Sequence, residues 1–413
     1  MKKAVIFILT GISVFLLAQS GIFNGIFSGR IKQDNKKKEV SGEKNITIPV
    51  DYDTYTPLNY ENQYAMWFPV MDYKEILAGK SAQEFEDNIS ERFSKAKAAG
   101  INTVYVHVRA NCDAYYNSEL FPHGEFFTEN SDYDPLQIMI DTAHSKGLSL
   151  HAWVNPMRGQ TTSQLDAMSD EFQIKKWYDD MDKNGLYIVN SGDRWYLNPA
   201  YSEVRNFISS GIFEILENYK VDGIHIDDYF YPTADADFDR QAFSLTDAEN
   251  LDQWRLDNVS LMVKQIYSIV KAVNPQILFG ISPQGNIEAD YSSQFADVRR
   301  WVSERGYCDY IVPQLYYGFE NSTCPYRETL DEWRDMTSCP KLIAGICTYK
   351  IGQEDKWAGS GINEWITDSS ITEKQIEYAL SDRKTDGIAI YSYSSTFENE
   401  NAADAIKKLL SAG

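Results

Sequence analysis

The sequence predicts an α/β fold, a (β/α)8 TIM barrel preceded by an N-terminal hydrophobic anchor. Two observations predict the barrel: eight short apolar runs rich in β-branched and aromatic residues follow residue 63, and amphipathic stretches separate them. Continuous apolar strands that alternate with helices are typical of a parallel sheet covered on its outer face, and eight such strands close a barrel. An open doubly wound sheet is the alternative, but no Gly-rich phosphate-binding loop follows the first apolar run.

Helical patterns with clear start and stop signals separate the predicted strands. We expect the first helix to start at Ser81, where Glu84 completes a capping box, and to stop at Gly100. Asp134 followed by Pro135 predicts the start of the second helix. The strands themselves are expected at residues 64–70, 102–108, 148–154, 222–227, 277–282, 309–316, 341–347 and 386–393.

The N-terminal sequence has the pattern of a targeting segment. Two lysines precede a largely apolar run at residues 4–27. This pattern predicts a signal peptide or a membrane anchor over residues 1–29, because about 20 apolar residues span a bilayer. We expect a polar linker at 30–58 and the catalytic barrel at 59–413. The barrel would then lie outside the cytoplasm, attached to the cell membrane, or secreted if the N-terminal segment is cleaved.

Composition narrows the choice of partners. The net charge of −21 argues against nucleic acid, whose binding requires clusters of Lys and Arg. Aromatic residues make up 14% of the chain, with 27 Tyr and 9 Trp, and aromatic rings at the mouth of a fold suit the faces of sugars. The five cysteines form no CxxC pair, so they do not resemble a disulfide framework or a zinc ribbon.

Residues 222–232, DGIHIDDYFYP, run from an apolar strand into two adjacent carboxylates. Barrels of this class carry their chemistry at the carboxyl ends of the strands. Hydrolysis of a glycosidic bond requires a carboxylic acid that protonates the leaving oxygen and a carboxylate that attacks the sugar or activates water. We expect Asp227 to be the nucleophile or base, and Asp228 to be the acid or an orienting partner. Glu288 and Asp113, which follow the fifth and second strands, are rival acids, and the alternative that Asp228 only caps the loop stays open.

Further polar and aromatic residues follow the other predicted strands and are expected to bind the substrate. Arginines would clamp an anionic substituent or neutralise the aspartates, amides would bind sugar hydroxyls, and aromatic rings would stack on sugar rings or serve in packing. The predicted substrate-binding residues are Arg109, Asp113, Trp153, Asn155, Arg158, His225, Gln314 and Tyr316.

Three histidines fall in neighbouring predicted strands: His107, His151 and His225. Converging imidazoles would bind a metal ion that generates hydroxide. The alternative is that they are hydrogen-bonded interior residues that orient the carboxylates. The second interpretation is favoured because the sequence contains no HxH pair, so neither a metal nor another cofactor is expected.

Five segments taken together resemble the glycosyl-hydrolase-like family 10 over residues 62–350: HVRANCDAYYNSELFP, HAWVNPMR, DGIHIDDYFYP, GISPQGN and DYIVPQLYYG. The resemblance implies a (β/α)8 barrel, export to the cell envelope and action on a bacterial polysaccharide such as peptidoglycan glycan strands or an exopolysaccharide. The family's paired acidic motif matches Asp227 and Asp228. The expected protein is therefore an exported glycoside hydrolase, and the alternatives are a metal-dependent hydrolase and a non-catalytic glycan-binding module.

Overall fold

The computed structural model describes residues 50–52, 54–127, 132–398 and 400–410. The predicted anchor and most of the predicted linker lie outside these residues. Within the part of the chain that is described, no helix combines the length and the apolar character needed to cross a bilayer.

Eight parallel strands close into a barrel, which confirms the predicted (β/α)8 barrel. Each barrel strand coincides with one of the predicted apolar runs. The strands of the barrel are β1 (Gln63–Phe68), β2 (Thr103–Arg109), β3 (Ser149–Val154), β7 (Gly223–Ile226), β8 (Leu278–Ile281), β9 (Tyr310–Ile311), β10 (Lys341–Cys347) and β11 (Gly387–Tyr391). Around the barrel the order is β1-β11-β10-β9-β8-β7-β3-β2, so that the first strand pairs with the last and with the second.

The α-helices lie between the strands, and the longer ones cover the outer face of the barrel. The predicted capping box between Ser81 and Glu84 is present, and Asp134 caps the second long helix by accepting hydrogen bonds from the backbone of Leu136 and Gln137. The α-helices are Tyr73–Ile76, Ala82–Ala98, Pro135–Ser145, Thr162–Ala167, Gln173–Asp179, Ser202–Asn218, Arg240–Ser244, Leu251–Val273, Ile287–Ala289, Val298–Ser303, Tyr326–Met336, Glu364–Thr367, Ile371–Leu380, Tyr393–Phe397 and Glu400–Leu410.

The strand residues divide between two apolar layers. Those that face outwards pack on the helices in the main core, and those that face inwards form a smaller aromatic cluster inside the barrel. Tyr310 fills much of this interior, and a Cβ atom at Gly280 on the neighbouring strand would lie 1.9 Å from its ring. Glycine at this position therefore makes room for the ring.

The loop after β3 contains a small antiparallel sheet. Its strands β4 (Arg158–Thr161), β5 (Ile188–Ser191) and β6 (Arg194–Leu197) pair in the order β4-β6-β5. Arg158 of this loop lines the cavity at the end of the barrel, so the loop forms one wall of that cavity. The small sheet gives that wall regular hydrogen bonding, which positions Arg158 at its start.

Part of the predicted linker packs against the barrel. Asp222, immediately before β7, accepts hydrogen bonds from Tyr55 Oη and from the backbone N–H of Leu58, both at 2.6 Å. The backbone N–H of Val50 donates to the carbonyl of Glu217 at 2.7 Å. These contacts fix the segment that enters β1.

Candidate active site

A cavity of about 380 Å³ opens at the carboxyl ends of the barrel strands. Side chains from β1, β2, β3, β4 and β11, and from the loops that follow the strands, line it. Six of the predicted site residues lie in this cavity, namely Trp153, Arg158, Asp227, Asp228, Gln314 and Tyr316.

Asp227 follows the last residue of β7 and lies almost entirely within the protein, with 3% of its surface exposed. Burial raises the pKa of its carboxyl well above the usual value, and the neighbouring Asp228 raises it further. The backbone N–H of Tyr229, the indole of Trp153 and the charge of Arg158 lower the pKa but do not reverse its direction. A carboxyl in this environment holds its proton at a higher pH than an ordinary aspartate.

The surroundings of Asp228 stabilise a negative charge better than those of Asp227. Gln314 Nε2 donates to its Oδ1 at 3.2 Å and also to the carbonyl of Ser282 at 3.2 Å, which fixes the amide. Burial raises the pKa of Asp228, whereas Gln314, Gln294 and Arg158 lower it. The pair titrates as a unit in which one carboxyl ionises before the other.

Asp290 is a third buried acid, and reasoning from the sequence missed it. Its Oδ1 accepts a hydrogen bond from the backbone N–H of Gln284 at 3.1 Å, and its Oδ2 has no partner among the described residues. Burial raises its pKa well above the usual value, with Asp228 as the second cause. The sequence prediction selected Glu288, two residues earlier, because the register of this short helical turn was not evident from the sequence.

Aromatic rings form the walls of the cavity. The rings of Tyr316, Tyr349 and Tyr391 contact one another, with centroids 5.8–6.1 Å apart. Trp153 stacks on His107 at 3.8 Å. Rings at the mouth of a barrel offer apolar faces to a sugar. Trp153 and Tyr316 were predicted, whereas Tyr349, Tyr391 and also Trp67 were missed because aromatic residues are frequent throughout this chain.

Arg158 brings a positive charge to the cavity. Its guanidinium lies over the ring of Tyr229, 4.6 Å from the centroid. Its buried Nε has no hydrogen-bond partner within the residues that the structure describes. Arg158 lines the cavity, and its charge lowers the pKa of both aspartates.

Arg109 does not reach the cavity, contrary to the sequence prediction. Strict alternation along β2 would place it on the same face as His107, but the pairing with β3 shifts register between these two residues. Such a bulge turns the following side chain to the other face. Arg109 consequently lies over Phe121, 4.5 Å from the ring centroid, and Gly211 on helix Ser202–Asn218 leaves room for its guanidinium.

Three further predicted residues lie outside the cavity. Glu288 was a candidate acid, but 83% of its side chain is exposed and it pairs with Arg299 at 3.0 Å. Asp113 was another, but its Oδ1 accepts the backbone N–H groups of two nearby loop residues at 2.9 and 2.8 Å, so it shapes the loop after β2. Asn155 was expected to bind sugar hydroxyls, but it is buried and donates to the carbonyl of Ala110 at 3.1 Å.

His225, expected to bind the substrate, lies beneath the cavity floor. Its Nδ1 and the Nδ1 of His151 both hydrogen bond to Tyr310 Oη, at 3.1 and 2.7 Å, and its Nε2 accepts the indole N–H of Trp67 at 3.2 Å. Burial lowers the pKa of His151 to about 4 and that of His225 well below its usual value. Both rings are hydrogen bonded to tyrosine or tryptophan and not to a carboxylate, and the ring nitrogens of His107 have no partner among the described residues. In the described part of the chain, no three His, Cys, Asp or Glu side chains form a group suited to a metal ion.

Sequence comparison finds a matching family and similar sequences among known proteins. Residues 65–359 match the family described as Glycosyl hydrolase-like 10. The chain is 32% identical over 327 residues to Glycosyl hydrolase YngK of Bacillus subtilis (strain 168), covering 72% of this chain and 62% of YngK. It is 29% identical over 352 residues to Glycosyl hydrolase DigH of Escherichia coli (strain K12), covering 76% of this chain and 77% of DigH. The chain thus spans less than two thirds of the length of YngK.

Solved structures share the barrel at low sequence identity. The glycoside hydrolase domain of PgaB (BpsB) from Bordetella bronchiseptica matches with a TM-score of 0.55 and 10% identity, over 85% of this chain and 99% of that domain. Alpha-L-fucosidase isoenzyme 2 from Paenibacillus thiaminolyticus matches with a TM-score of 0.55 and 12% identity, over 85% of this chain and 49% of that one. At these identities the likeness concerns the fold alone.

The family match covers well over half of the chain and confirms the resemblance found in the sequence. YngK and DigH are glycosyl hydrolases by name, in agreement with the enzyme class that the sequence predicts. The chain belongs to the glycosyl hydrolase-like 10 family.

Proposed function

We propose that this chain is an exported glycoside hydrolase that cleaves glycosidic bonds of a bacterial cell-envelope polysaccharide, with Asp227 and Asp228 as its catalytic pair. The observation that carries the proposal is the position of the pair. Two carboxyl groups with raised pKa values line an aromatic cavity at the end of the barrel where this fold places its chemistry.

The environments of the two carboxyls suggest different roles. Asp227 is the more deeply buried, and it holds the proton that the glycosidic oxygen receives as its bond to the anomeric carbon breaks. Asp228, stabilised as an anion by Gln314, attacks the anomeric carbon or accepts a proton from the attacking water. One water is consumed for each bond cleaved, and Asp227 recovers its proton. These roles reverse the expectation from the sequence, in which Asp227 was the base.

The substrate proposal has separate support. The basic and apolar N-terminal sequence, outside the described residues, favours export and attachment to the membrane. The aromatic walls suit sugar rings, and Arg158 suits an acidic substituent on one of them. Peptidoglycan glycan strands without their stem peptides are therefore the first substrate to test, and an envelope exopolysaccharide is the second.

The test is to incubate the purified protein with each polysaccharide in water enriched in ¹⁸O and to analyse the fragments by mass spectrometry. Hydrolysis is expected to release shorter strands that carry one ¹⁸O atom at each new reducing end. Fragments without ¹⁸O would exclude hydrolysis in favour of elimination. Binding without any fragments, from either polysaccharide, would support a glycan-binding module instead.

A further inference from the structure

Trp357 is an exposed aromatic residue at the same end of the barrel as the cavity. It lies in the loop after β10, and 90% of its surface is accessible. Tyr349, at the start of this loop, lines the cavity and is 47% exposed. Covering such a ring with a ligand would supply the hydrophobic free energy that the exposed ring does not gain in the folded chain.

The loop that presents Trp357 is tied to the cavity wall. Lys350 Nζ donates to the carbonyl of Tyr316 at 2.8 Å and to Oδ2 of the buried Asp355 at 2.7 Å. The other carboxylate oxygen of Asp355 accepts the backbone N–H of Trp357 at 3.4 Å. A second attachment joins the backbone N–H of Ser322 to the carbonyl next to Trp357, that of residue 358, at 2.9 Å. The position of the exposed ring is therefore coupled to a residue that lines the cavity.

We infer that Trp357 is a distal sugar-binding platform for the polysaccharide chain whose scissile bond lies at Asp227 and Asp228. The inference rests on the proposed function and adds a binding site outside the cavity. Tyr349, which lines the cavity, and Trp357 both lie in the loop after β10, so a glycan that extends from the cavity over this loop would reach the indole. The indole face would stack on the C–H face of a sugar ring. Long strands would gain from this contact, and short oligosaccharides that only fill the cavity would not.

The test compares long glycan strands with short fragments of the same polysaccharide. Binding is measured by calorimetry in the Asp227→Asn background, so that it does not depend on cleavage. Trp357→Ala is expected to weaken binding of long strands about tenfold and to leave short fragments unaffected, whereas Trp357→Phe retains most of the affinity. Leu261→Ala, on the outer helix Leu251–Val273, is the matched control because 46% of this apolar side chain is exposed.

Unchanged binding of long strands by Trp357→Ala would overturn the inference, and so would equal losses for long and short glycans. The proposed function fails in a different way, because the protein with its native aspartates would then release no fragments whatever residue 357 is. Binding that depends on Trp357 without cleavage would support the platform and reject the hydrolase.

Discussion

At the scale of single residues, Asp227 and Asp228 combine two features that a protein stabilised only for folding would avoid. They are adjacent like charges; Asp227 is buried, and Asp228 is partly buried in the cavity. The pKa of each is raised, mainly by burial, while Arg158 opposes the rise for both and Gln314 opposes it for Asp228. We expect the pair to lower the free energy of unfolding, because burial that holds a proton in position also disfavours the ionised carboxyl.

Because the ionisable pair destabilises the fold, we predict that Asp227→Asn stabilises the protein at pH 7. A folded-state pKa above the unfolded value of about 3.9 means that ionisation favours unfolding, so stability is lost as pH rises from that value through the folded pKa. Asparagine does not titrate. Thermal melts from pH 3 to 8 should show a higher Tm for Asp227→Asn at neutral pH and a difference that shrinks towards pH 4. If the variant were less stable by the same amount at every pH, the raised pKa of Asp227 in the folded protein would be contradicted.

The charge of Arg158 should set the pH range of activity. It lowers the pKa of both aspartates, so Arg158→Gln is expected to raise them and to shift both limbs of the kcat/KM profile to higher pH. Arg158→Lys keeps the charge and serves as the control, with a profile close to that of the wild type. A profile that stays in place in Arg158→Gln would show that this guanidinium acts on the substrate alone.

The sequence identified the residues whose position depends only on the end of a strand. Asp227, Asp228, Trp153 and Gln314 follow or end apolar runs, and all of them line the cavity. Asp290 was missed because it lies within a helical turn after β8, where the sequence does not show which side chain points inwards. Hydrogen bonds among distant side chains, such as those around Tyr310, were also beyond sequence reasoning.

At the scale of elements, one β-bulge changes which face of β2 carries Arg109. Residues 104, 106 and 108 of β2 face the helices, and the register shift after His107 adds Arg109 to that outer face. Alternation alone therefore gave the wrong side for Arg109. The sequence contains no glycine or proline at this point that would have indicated the bulge.

Arg109→Met is consequently expected to affect stability and not catalysis. The guanidinium lies over Phe121 and lowers the pKa of the buried Glu214, so its loss should cost about 1–3 kcal/mol of unfolding free energy. Chemical denaturation measures the loss, and kcat/KM on the glycan should stay within a factor of about 2. A raised KM at unchanged stability would instead return Arg109 to the substrate site.

At the scale of the whole molecule, closure of the barrel was predictable because eight apolar runs alternate with helices. The residues that fill the interior of the barrel were not predictable, because their packing depends on pairs of residues far apart in sequence. Gly280→Ala tests this packing: the added Cβ would overlap the ring of Tyr310 and cost about 1–3 kcal/mol. Tyr310→Leu in the same chain should recover part of that loss, and additive losses in the double variant would contradict the predicted overlap.

The central claim is that Asp227 and Asp228 together hydrolyse a glycosidic bond. The most direct measurement is the cleavage rate of the responsive glycan by the wild type, Asp227→Asn and Asp228→Asn, each checked for folding by thermal melt. We predict that both variants fold and that their cleavage rates fall by about 10²–10⁴-fold. A folded variant of either residue that cleaves at the wild-type rate would contradict it.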